Sequence, residues 1–60
     1  MNYNLPSDPF MLMSFINMKL RDRYASLDDL CEDMDVDKAW LLEKLRLAGF
    51  DYSAKENKFW

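Results

Sequence analysis

The cysteine and histidine content is the feature that most constrains how this chain can fold. Its 60 residues include one cysteine, Cys31, and no histidine. A disulfide within the chain is therefore impossible, and zinc sites built from cysteine and histidine are excluded. A single domain of this size, here residues 1–60, must then be stabilised by dense helix packing or by association with a second chain. Half of the residues are hydrophobic, which supplies apolar surface for either route.

The same cysteine bears on the cellular compartment. A lone cysteine suits a reducing cytosol, so we expect a cytoplasmic protein. The first seven residues lack the basic region and apolar run of a signal peptide, and no stretch reaches the ~18 apolar residues of a membrane span. We therefore expect no membrane association. Cys31 lies at an apolar helix position, which favours inert packing over a reactive thiol.

Capping residues and apolar spacing predict three helices. Asp8 is placed to cap the first helix, and Pro9 suits its first position because the missing N–H is not needed there. Ser26 and Asp37 are the predicted N-caps of the second and third helices, and Gly49 is the residue that ends the third. The predicted helices cover residues 9–23, 26–34 and 38–48.

Each predicted helix has an apolar stripe with the spacing of a core-facing side. The stripes consist of Leu12, Met13, Ile16, Leu20 and Tyr24 on the first helix, Leu27, Leu30, Cys31 and Met34 on the second, and Leu41, Leu42, Leu45 and Ala48 on the third. These stripes predict that the three helices pack around one common core.

Residues 50–60 have the pattern of a β-hairpin. Two short strands, 50–52 and 58–60, flank a turn in which Asn57 can adopt a left-handed conformation. A lone hairpin is marginally stable in water, so its aromatic side chains must pack on the helices or on another chain. The predicted fold class is mainly α, a three-helix, helix-turn-helix-like domain with a short C-terminal β-hairpin.

Two apolar rows are left outside the predicted core. They consist of Met11, Phe15 and Met18 on the first helix, and Trp40 and Leu47 on the third. Such rows indicate a protein partner or self-association. In the alternative, the hairpin aromatics together with Tyr3 and Leu5 cover both rows within a monomer. We expect a non-catalytic interaction module, a homodimer that uses these five residues as its interface, with first helices most easily paired antiparallel.

The order of short helix, tight turn, longer helix and hairpin resembles a helix-turn-helix with a small wing. The resemblance is carried by Leu27, Leu30, Cys31, Val36, Leu41, Leu45 and Gly49. It implies that the exposed face of the third helix would enter the major groove of DNA. That face offers one arginine, Arg46, and the net charge is −3, so we do not expect nucleic acid as a partner. A weak DNA-binding regulator is the alternative function.

Three further stretches make the chain similar to a family of short uncharacterised bacterial proteins. They are residues 4–12, 19–22 and 26–31. The likeness extends over nearly the whole chain. It implies a small bacterial cytoplasmic protein, with no assigned activity and no site residues.

Neither metal binding nor catalysis is predicted. Asp33, Asp35 and Asp37 alternate as at the start of an EF-hand calcium loop. However, Lys38 stands where that loop needs glycine and Lys44 where it needs glutamate. No histidine can act as a base, and a single glycine cannot form a phosphate-binding loop. We expect no enzyme activity, no cofactor and no small-molecule substrate.

Overall fold

Three helices followed by a two-stranded hairpin make up the computed structural model, which describes residues 5–60. The elements are α1 (Pro9–Asp22), α2 (Leu27–Met34), α3 (Lys38–Leu47), β1 (Tyr52–Ser53) and β2 (Lys58–Phe59). The predicted fold class, mainly α with a C-terminal hairpin, is confirmed. Each helix is one residue shorter than expected, because Arg23, Ser26 and Ala48 serve as caps outside the helical segments.

The three helices begin at the N-cap residues that the sequence indicates. The side-chain oxygens of Asp8, Ser26 and Asp37 accept backbone N–H groups of the first helical turn at distances of 3.0 to 3.2 Å. Pro9 occupies the start of α1, where its missing donor costs nothing. Each such cap is worth about 1 kcal/mol. The carboxylate of Asp37 thus accepts N–H groups at the start of α3, as the capping prediction requires.

Helix α3 ends in a Schellman arrangement at Gly49. This glycine has φ of 95°, and its N–H donates to the carbonyl of Arg46 at 2.9 Å. The N–H of Phe50 donates to the carbonyl of Leu45 at 2.9 Å. These two bonds satisfy carbonyls that the end of a helix otherwise leaves free. They also turn the chain so that Phe50 packs against the core.

Helix α2 also ends at a residue in the left-handed conformation, but this residue is Asp35 (φ 56°) and not a glycine. At Gly49 (φ 95°) there is room for a side chain, because an added Cβ would meet no atom within 4 Å. Substitutions at these two positions therefore test backbone strain in opposite directions. We expect Gly49→Ala to lower the free energy of unfolding by about 1 to 2 kcal/mol through backbone strain alone. Asp35→Gly relieves strain and should raise that free energy by about 0.5 to 1 kcal/mol. Urea denaturation followed by circular dichroism measures both, and equal signs would contradict this account.

One apolar core joins the helices and the hairpin. The buried hydrophobic residues among those described are Leu12, Ile16, Leu20, Leu27, Leu30, Cys31, Met34, Leu41, Leu45 and Phe59. The remaining residues of the predicted stripes are half-buried at their borders. Tyr52 packs beside Phe59 with ring centroids 5.4 Å apart. The antiparallel register pairs Tyr52 with Phe59, so both side chains lie on the face of the hairpin toward the helices.

Candidate interaction surface

Four of the five predicted interface residues lie on the surface. The exposed fractions are 61% for Met11, 41% for Met18, 45% for Trp40 and 73% for Leu47. Side chains of this size and type ordinarily lose most of their water contact on folding. The structure therefore leaves apolar surface uncovered on both α1 and α3.

Phe15 is placed differently from the other members of its row. It is half-buried and packs against the core, with the Lys19 ammonium 5.5 Å from its ring centroid. At about 100° per residue, Phe15 lies only about 60° around the helix from Leu12, which is fully buried. The side of α1 directed away from the core thus carries Met11 and Met18, with Phe15 at its border.

The row on α3 is interrupted by a charge. The Lys44 ammonium, one turn after Trp40, lies 5.9 Å from the centroid of the Trp40 ring. A cation at this distance is attracted by the ring and covers part of its face. Leu47 follows in the last turn and is the most exposed large apolar side chain of the described part. This row therefore combines two apolar side chains with one lysine.

Two exposed aromatic side chains were not among the predicted interface residues. Phe10 is 62% exposed and meets Phe50 edge to face, with centroids 5.3 Å apart. Trp60 is 67% exposed, with the Lys58 ammonium 4.9 Å from its ring centroid. The two-residue period of a strand could have indicated the outward position of Trp60, because the neighbours of the inward-facing Phe59 must face outward.

The alternative, in which residues of the same chain cover both apolar rows, agrees with the structure only in part. Leu5, Phe50 and Tyr52 pack against the core, as that alternative requires. Met11 and Leu47 nevertheless stay exposed. The proposed contribution of Tyr3 lies outside the described residues.

Asn17 fixes the hairpin to α1. Its side-chain amide donates to the carbonyl of Phe59 at 2.9 Å and accepts the N–H of the same residue at 2.7 Å. One side chain thus satisfies both backbone groups of a residue 42 positions away in sequence. The sequence places Asn17 beside the apolar stripe of α1, but spacing alone does not reveal this pairing.

Asn57 makes a second connection between the hairpin and α1. It is left-handed, with φ of 55°, as the sequence indicates. Its amide donates to the carbonyls of Tyr24 at 3.0 Å and Leu20 at 3.3 Å, and its oxygen accepts the Tyr52 hydroxyl at 2.7 Å. The turn of the hairpin is therefore held at the C-terminal end of α1.

An open groove of about 600 Å³ runs between α1 and the hairpin. Its lining consists of Ser14, Asn17, Met18, Leu20, Arg21, Glu56, Asn57 and Lys58. Both asparagine amides in it are already bonded to backbone groups of the chain itself. The groove is therefore the place where α1 and the hairpin join, and Met18 lies at its apolar border.

Charged side chains on α3 pair with each other. Arg46 donates to Glu43 through two nitrogens, at 3.1 and 2.7 Å, and this hydrogen bonding lowers the pKa of Glu43. On the neighbouring surface, Lys38 bonds Asp28 at 2.6 Å. The one arginine on the exposed face of α3 is thus engaged by an acid.

The thiol and the acidic side chains of residues 5–60 are the groups with which a reactive or metal site could be built. Cys31 is buried, and burial raises the pKa of its thiol, which disfavours the reactive thiolate. Over these residues, no three side chains of the metal-ligating types come together. Among the helices described, none is long and apolar enough to cross a membrane.

The fold and surface together define a small, mainly α domain with a docked hairpin and apolar helix flanks. The sequence model of the family described as "Domain of unknown function (DUF4250)" matches residues 6–59, and the chain belongs to this family. The resemblance to a family of small proteins of unknown function is therefore confirmed. No curated protein and no solved structure matches the chain. The likeness to a helix-turn-helix stays a prediction.

Proposed function

We propose that this chain is a non-catalytic cytoplasmic module that associates with a second copy of itself through the apolar side chains of α1 and α3. The observation that carries the proposal is the exposure of Met11, Met18, Trp40 and Leu47 around an otherwise complete core. Burial of such side chains against another apolar surface is favourable by about 25 cal/mol per Å². Self-association supplies that surface without a further component.

Because the molecule is small, self-association would cover a large share of its surface. Its accessible surface is 4164 Å². A standard interface covers about 800 Å² on each partner, which is roughly a fifth of that surface. A homodimer would therefore extend the small core considerably, which is one of the two routes open to a domain without disulfides or metals.

An enzymatic role is not part of this proposal. The chain has no histidine, and its single thiol is buried with a raised pKa. The asparagine side chains at the groove are used to hold the hairpin.

Charged substitutions in the two rows test the proposal. Met11→Asp and Leu47→Asp should each weaken self-association roughly tenfold or more, because a carboxylate would have to be buried in an apolar contact. Both positions are exposed, so the fold should survive, which circular dichroism checks. Analytical ultracentrifugation over a concentration series measures whether the mass rises from 7.2 kDa toward twice that value.

The matched control is Ala54→Asp, in the exposed turn of the hairpin. It adds the same charge outside both rows and should leave association unchanged. A wild-type chain that stays at the mass of one copy throughout the series would remove the proposal. Equal weakening by all three substitutions would show that net charge, and not the rows, controls association.

A further inference from the structure

We draw no further inference here: the strongest candidate, the apolar side of α1 that carries Met11 and Met18, belongs to the surface already described, and nothing in the structure of residues 5–60 shows what covers it.

Discussion

Replacing Phe59 with alanine is expected to unfold a large part of the population at 25 °C. Phe59 is 1% exposed and is the residue through which the hairpin enters the core. Phenylalanine to alanine at a fully buried site costs about 3 to 5 kcal/mol, from lost transfer free energy and the cavity left behind. A domain of this length has a total stability of only about 3 to 9 kcal/mol. Urea denaturation followed by circular dichroism and tryptophan fluorescence measures the loss.

Trp60→Ala provides the matched control for that substitution. Trp60 is the adjacent residue and is larger, yet it is exposed and contacts Lys58 outside the core. Its loss should change the free energy of unfolding by less than about 1 kcal/mol. Similar costs for the two substitutions would contradict the inward and outward alternation assigned to β2.

The second large effect is expected for Asn17→Ala. The change removes the donor and the acceptor that pair with the carbonyl and the N–H of Phe59. Leaving a part-buried backbone group without a partner costs about 1 to 3 kcal/mol, so we expect a total loss of about 2 to 4 kcal/mol. Thermal denaturation should show a lower midpoint, and hydrogen exchange should show faster opening of residues 58–60 than of α2.

Ser14→Ala, one turn earlier on α1, serves as its control. Ser14 is exposed, so its replacement should change stability by no more than about 0.5 kcal/mol. Asn17→Asp is a sharper variant, because the carboxylate still accepts the N–H of Phe59 but cannot donate to the carbonyl. It should fall between the wild type and Asn17→Ala. If Asn17→Ala were as stable as the wild type, the hairpin would be held by apolar packing alone.

The local features of the fold could be predicted from the sequence because each depends on neighbouring residues. N-caps act within one helical turn, and the left-handed positions of Gly49 and Asn57 follow from the conformational freedom of those residues. The all-buried side of α2 follows from its i, i+3, i+4, i+7 spacing. Such signals depend on neighbouring residues only, so they do not change with the packing of the rest of the chain.

The contacts between distant elements could not be predicted in this way. The pairing of Asn17 with Phe59 depends on where the hairpin docks, and a polar residue beside an apolar stripe is compatible with many positions. The same applies to Phe15, whose burial depends on what lies next to α1. The candidate surface was therefore predicted as rows along helices, while the division between exposed and half-buried members came from the tertiary structure.

The amide of Asn17 also has a consequence for aggregation. In the hairpin register, the N–H and C=O of Phe59 point away from β1, and such groups at the edge of a sheet are a template for strand addition by another chain. Here α1 supplies both partners through one side chain, so an incoming strand finds no bonding group at that position. A strand that pairs with Phe59 at this edge would first have to displace the amide of Asn17. The side chain that fastens the hairpin therefore also occupies the groups through which another chain could extend the sheet.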